Sequence, residues 1–103
     1  MDKKILVVDD AMFMRSIIRK ILKEAGYTQV WEAQDGEKAM ELFREVSPDL
    51  VLLDITMPGR SGLEVLEEML GLVPNVRVIM CSAVGQEMMI QKALTIGASD
   101  FIV

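Results

Sequence analysis

The sequence contains no histidine. That absence removes imidazole as a general acid or base, as a metal ligand and as the centre of a Ser-His-Asp triad. Cysteine occurs once, at Cys81, so no disulfide can close within the chain and nothing points to an oxidising compartment. No apolar run approaches the roughly 18–20 residues that a membrane-spanning helix needs. The opening Met1-Asp2-Lys3-Lys4-Ile5 lacks the apolar stretch and small-residue cleavage site of a secretory signal. Positive charge is also scarce. Lys and Arg number 11 against 16 Asp and Glu, a net charge of −5, which disfavours the clustered basic contacts of nucleic-acid binding. The expectation is a cytoplasmic protein that binds neither nucleic acid nor membrane.

With 103 residues, 51% hydrophobic and 26% charged, the composition is that of one globular domain with a core of its own. Two apolar patterns alternate along it. Short continuous runs occur at Ile5-Leu6-Val7-Val8, Leu50-Val51-Leu52-Leu53, Val76-Arg77-Val78-Ile79-Met80 and Phe101-Ile102-Val103, with a weaker one at Val30-Trp31-Glu32-Ala33. Such runs fit strands covered on both faces, as in a parallel sheet.

Between the runs the spacing becomes helical. Met14, Ile17, Ile18, Ile21, Leu22 and Ala25 fall on one face, with Arg15, Arg19, Lys20 and Lys23 on a face expected to be solvated, and Gly26 follows as a helix stop. The predicted order is β1 (about 4–8), α1 (12–25), β2 (30–33), α2 (36–46), β3 (50–54), α3 (62–70), β4 (76–80), α4 (86–96) and β5 (100–103). Strict alternation implies right-handed crossovers and a layered α/β fold. Most of the nine methionines sit at core positions as gap-fillers, Met12, Met57 and Met88 less clearly so.

In open α/β sheets ligands sit beyond the carboxyl ends of the strands. There the chain places Asp9 and Asp10 after β1, Asp54 after β3, and Cys81, Ser82 and Ala83 after β4. If β1 and β3 are neighbours, three carboxylates converge. Like charges that close are costly unless protonated, hydrated or bridged by a cation. An all-oxygen set selects a hard ion, Mg²⁺ first, with Mn²⁺ or Ca²⁺ as alternatives, and a small acidic Mg²⁺ site suggests phosphoryl chemistry with an aspartate as nucleophile. An Asp-Asp pair after a strand also serves as a turn or helix cap, and Asp10 or Ala11 could cap α1. Cys81, ending a buried strand, reads as inert packing.

Three segments carry a resemblance: Ile5-Leu6-Val7-Val8-Asp9-Asp10, the run from Asp49 through Asp54-Ile55-Thr56-Met57-Pro58-Gly59 to Gly62, and Gly97-Ala98-Ser99-Asp100-Phe101-Ile102-Val103. In order and over the whole chain they resemble the receiver domain of two-component response regulators. Ala11-Met12-Phe13-Met14-Arg15, Asp54-Ile55-Thr56-Met57-Pro58 and Cys81-Ser82-Ala83-Val84-Gly85-Gln86 resemble its single-domain chemotaxis members of Gram-positive and thermophile type.

The resemblance implies a flavodoxin-like, doubly wound five-stranded parallel sheet in the order 2-1-3-4-5, with residues 1–103 forming one receiver domain. It makes Asp54 the phospho-acceptor, Asp10 a direct Mg²⁺ ligand, Asp9 a ligand through water and the Thr56 carbonyl a further one. Ser82 becomes the switch hydroxyl and Phe101 the switch aromatic, without the hydroxyl of the commoner tyrosine. The implied protein is no enzyme beyond its own phosphorylation and slow self-dephosphorylation. Its implied partners are a CheA-type histidine kinase and a flagellar motor switch protein.

The family continues after the segment matching Phe101-Ile102-Val103 with a lysine, usually a proline, and a last helix, whereas this chain stops at Val103. Lys3 and Lys4 open β1 at the opposite end of the sheet and cannot substitute. The expectation is a truncated or fragmentary form that either self-associates through its uncovered α1/β5 face or depends on a supplied helix. Two other readings stand beside this one. One is a receiver cut from a larger regulator with a DNA-binding or other output domain. The other is a Mg²⁺-dependent aspartyl-phosphate phosphatase, disfavoured because Thr56 and Ala11 stand where such enzymes carry a second Asp.

Overall fold

The structure is a computed structural model and describes residues 3–82 and 87–102. Ala83, the segment Val84-Gly85-Gln86 and Val103 lie outside the described residues. Nine elements alternate: β1 Lys4–Val8, α1 Met12–Glu24, β2 Gln29–Ala33, α2 Gly36–Val46, β3 Leu50–Asp54, α3 Gly62–Leu72, β4 Arg77–Cys81, α4 Glu87–Ile96 and β5 Asp100–Ile102. The strands form one parallel sheet in the order β2-β1-β3-β4-β5. The predicted order and element sequence match. Boundaries moved by one or two residues, α3 most, running on to Leu72.

Alternation along the strands assigns the two faces. Leu6, Val8, Val51, Leu53, Val78 and Met80 enter the larger core with Phe43 of α2, Leu66 and Met69 of α3 and Ala93 of α4. Ile5, Val7 and Val30 form a smaller core on the other face, where Ile18 and Leu22 of α1 pack with Leu50 and Leu52. This is why β1 and β3 read as unbroken apolar runs, since every side chain in them meets a helix layer. Gly26 closes α1 at φ +98°, a left-handed value that costs glycine nothing, and its N–H donates to the Lys23 carbonyl while Tyr27 N–H reaches Leu22.

The α1/β5 face is uncovered, as expected. No residue of α1 is buried, and Met14, Ile17 and Ile21 are exposed along with Ile102 of β5. The periodic stripe is there, but only its Ile18 and Leu22 edge reaches the sheet. Of the three methionines in doubt, Met57 joins the core, whereas Met12 and Met88 are exposed.

Candidate functional site

β1 and β3 are hydrogen-bonded neighbours, with Val8 opposite Leu53. The chain therefore leaves both strands side by side, and the residues that follow meet. Asp9, Asp10 and Asp54 each bring a carboxylate oxygen within 4.8 Å of the other two. Register explains the direction of Asp54. It lies on the same face as Leu50 and Leu52, opposite Cys81 of β4, so it points to the α1 side.

Two of the acids, Asp9 and Asp54, are held by local hydrogen bonds. The Asp9 N–H donates to the Ala33 carbonyl (3.1 Å), and its Oδ1 accepts from the Ala11 N–H (2.9 Å). Asp54 Oδ1 accepts from the Thr56 N–H at 3.4 Å. Ala11, not Asp10, is the N-cap of α1, and it makes no side-chain cap bond. The loop after Asp54 is tied down at its far end, where Arg60 and Arg44 both donate to Glu68 and the Ser61 hydroxyl accepts from the Glu64 N–H to cap α3.

Asp54, Asp9, Asp10 and Ser82 line one cavity of about 630 Å³, which continues over Met14, Ile18, Ile21 and Ile102. The Ser82 N–H donates to the Ile102 carbonyl, which ties the end of β4 to β5. Thr56 is exposed and reaches the site through its N–H. Phe101 stands apart from the acids. It pairs with Met80 and packs against the larger core, on the sheet face away from the cavity.

Burial, and then the charge of Asp9, push the Asp54 carboxyl up to about 6 from 3.8; the Thr56 N–H opposes this, and Asp10 adds to it. The same burial, with Asp54 and Asp9 nearby, pushes the Cys81 thiol up to about 11. Such a shift favours the protonated thiol of Cys81 at neutral pH.

The raised carboxyl predicts a pH-dependent stability. Below pH 3.8 Asp54 is protonated in both folded and unfolded chains, and its contribution is complete. Between 3.8 and about 6 only the folded chain keeps the proton, so stability falls as pH rises through that window and levels off above it. Two pH units set a ceiling of about 3 kcal/mol, and solvent screening in this open site reduces it to about 1 kcal/mol. Urea unfolding of the parent and Asp54→Asn across the window, in metal-free buffer, isolates the effect. Parallel curves would remove it.

The donors fit a hard divalent cation. All three are carboxylate oxygens, among the described residues no nitrogen or sulfur ligand joins them, and their crowding shows in the proton affinity of Asp54. One contributor was not expected. Arg15 was placed on a solvated basic face, yet its side chain is only 12% exposed and bonds to the Asp9 carbonyl and to Glu32. Helical spacing carries no signal for this, because one partner follows the end of β1 and the other lies on β2.

Residues 5–103 match the response regulator receiver domain family. The chain is 45% identical to the chemotaxis protein CheY of Thermotoga maritima, over all of this chain and 86% of that one. In structure it is similar to CheY in the CheX-CheY-BeF3-Mg²⁺ complex from Borrelia burgdorferi, with a TM-score of 0.94 and 36% identity over 98% of this chain and 77% of that one. It is also similar to NtrX from Brucella abortus, with a TM-score of 0.92 and 35% identity over 99% of this chain but 23% of that one. With this match over nearly its whole length and an acidic cluster at the joined ends of β1 and β3, the chain belongs to the response regulator receiver domain family.

Proposed function

We propose that the chain is a phospho-accepting receiver of a two-component system, with Asp54 as the acceptor and chemotaxis as its setting. The observation that carries this is the convergence of Asp9, Asp10 and Asp54 within 4.8 Å at the ends of two neighbouring strands. Receiver domains bind Mg²⁺ in such an acidic pocket, and here Asp9, Asp10, Asp54 and the Thr56 carbonyl would hold it. The ion supplies charge neutralisation for the phosphoryl oxygens. A carboxylate oxygen of Asp54 attacks phosphorus, a P–O bond forms, and the P–N bond to the kinase histidine breaks, leaving an acyl phosphate on Asp54. Ser82, which lines the same cavity, would donate a hydrogen bond from its hydroxyl to that phosphoryl group. Phe101, in β5 on the sheet face away from the cavity, is the aromatic that would report the change to the surface.

The partners in this reading are a CheA-type histidine kinase upstream and a flagellar motor switch protein downstream; the likeness to a chemotaxis protein supports that setting. Among the described residues no helix is long and apolar enough to cross a membrane, and the cytoplasm is the place of action in this reading. The test is incubation with acetyl phosphate and Mg²⁺, followed by weighing the protein. Gain of one phosphoryl group by the parent and none by Asp54→Asn supports the assignment; equal gain by both overturns it.

A second reading keeps the site and changes the output. NtrX, of which this chain matches 23%, carries the receiver beside further sequence, so a DNA-binding or other output domain in the same reading frame would select it.

The exposed α1/β5 face belongs to the same proposal, with a second copy of this chain as its occupant. Met14, Ile17, Ile21 and Ile102 present apolar surface there, and such patches gain by being covered. Charge favours an antiparallel pairing of two α1 helices: each begins beside Asp9 and Asp10 and carries Arg19, Lys20 and Lys23 further along. Sedimentation velocity is expected to show a concentration-dependent dimer that Ile21→Glu abolishes. A parent that stays monomeric up to its solubility limit would sink the idea.

A further inference from the structure

We propose that Arg15 is a positioning residue of the acidic site, gripping the Asp9 backbone carbonyl while Glu32 fixes its guanidinium. The proposal rests on the metal-binding reading of Asp9, Asp10 and Asp54 given above.

The geometry is a three-point fixture. Arg15 Nη1 donates to the Asp9 carbonyl at 2.5 Å, and its Nε donates to Glu32 Oε1 at 3.2 Å. The other Glu32 oxygen is taken by Arg19 Nη1 at 2.7 Å, so Glu32 is held from both sides. Glu32 itself stands on β2 opposite Val7 of β1, two residues before Asp9. The Arg15 N–H closes the first turn of α1 on the Ala11 carbonyl, and the Ala11 N–H holds Asp9 Oδ1. Three consecutive residues, Asp9, Asp10 and Ala11, are thereby clamped between a strand end and a helix start.

Burial argues the same way. Along α1 only Arg15, Ile18 and Leu22 are half-buried, and Arg15 is so while carrying a charge. Ordering a long side chain and withdrawing its charge from water is costly unless the bonds made repay it. A guanidinium fork suits this task, since its planar donors serve a carboxylate and a carbonyl together, which one ammonium does not.

Charge and position make opposite predictions for the cation, which gives the test its sign. By charge alone, removing Arg15 takes a positive group away from an acidic site and tightens binding of Mg²⁺. If Arg15 positions the Asp9–Ala11 turn, removing it weakens binding, and outer-shell groups of this kind are worth roughly 10-fold in affinity. The experiment is calorimetric titration with MgCl₂ of the parent, Arg15→Met, Arg15→Lys and Asp10→Ala, with amide NMR spectra of the metal-free proteins. Arg15→Met is expected to bind Mg²⁺ about 10-fold more weakly, with the Asp9, Asp10 and Ala11 amides displaced before any metal is added. Arg15→Lys keeps the charge without the fork and is expected to fall between the two. Affinity equal to or tighter than the parent's in Arg15→Met overturns the proposal. Should Arg15→Met fail to fold by circular dichroism, Arg15→Lys decides: weaker binding supports the fixture, and parental binding overturns it. If the parent binds no Mg²⁺ and Asp10→Ala changes nothing, the site reading itself falls and takes this proposal with it. If the parent binds, Asp10→Ala loses binding and Arg15→Met does not, only the role of Arg15 falls.

Discussion

Asp54→Asn is expected to accept no phosphoryl group from acetyl phosphate and, in metal-free buffer near neutral pH, to melt at a higher temperature than the parent. The two effects have one cause. The carboxylate that supplies the nucleophile is also the group that burial and Asp9 disfavour in its charged form, which is why its carboxyl is pushed up to about 6. Asparagine keeps the shape and the Thr56 N–H acceptor but brings no charge next to Asp9 and Asp10. Relief of about 1 kcal/mol, after screening, corresponds to about 4–8 °C in a domain of this size. Mg²⁺ should narrow the gap, because a bound cation offsets the repulsion and stabilises the folded parent by mass action. Melting curves with and without Mg²⁺, beside mass spectra after acetyl phosphate, check both halves. A variant that melts lower than the parent in both buffers would mean that Asp54 is not a strained charge.

Gly62→Ala has the larger expected cost in stability. Gly62 opens α3, is buried, and donates its N–H to the Ile55 carbonyl at 2.9 Å. A Cβ there would lie 2.1 Å from the Asp54 carbonyl oxygen and 2.7 Å from Ile55 Cα. Both are backbone atoms, so no side chain can rotate aside; either α3 or the end of β3 must shift. Overpacking a tight site costs about 1–3 kcal/mol, and a backbone clash belongs at or beyond the upper end. At about 4 °C per kcal/mol the melting temperature should fall by at least about 12 °C. Phosphoryl uptake should also slow in whatever folds, because the displaced atoms carry Asp54. Gly71→Ala is the control: it adds a methyl group on the same helix with nothing within 4 Å, and it should leave stability equal or slightly raised. If Gly62→Ala melts within a few degrees of the parent, the α3/β3 contact is looser than described.

The two predictions draw on different kinds of legibility. Asp54 could be singled out because a strand-end carboxylate after Leu50-Val51-Leu52-Leu53 is a local pattern, and its meeting with Asp9 and Asp10 required only that β1 and β3 be neighbours. The role of Gly62 could not be read from the chain, because a glycine before an apolar helix is ordinary until the distance to the Asp54 carbonyl is known.

The chain's apolar pattern already dictates the strands, the helices and their alternation. A run apolar at every position has one stable home, between two helix layers, and the i, i+3, i+4 stripes of α2 and α3 have one side to bury. The sequence also dictates which carboxylates stand at the strand ends. Tertiary structure alone decided how α1 sits and what Arg15 does. A helical period specifies an apolar face but not how much of it is covered, and the α1 stripe ends half in water with Met14, Ile17 and Ile21 exposed. Arg15 lies beside that stripe, so periodicity assigns it to solvent. Its partners, the Asp9 carbonyl just past β1 and Glu32 on β2, come within hydrogen-bond distance only because those two strands pair beneath α1. Burial patterns are local in sequence, whereas hydrogen bonds between elements depend on how the elements pack, and the packing of α1 is where the sequence pattern stopped being informative.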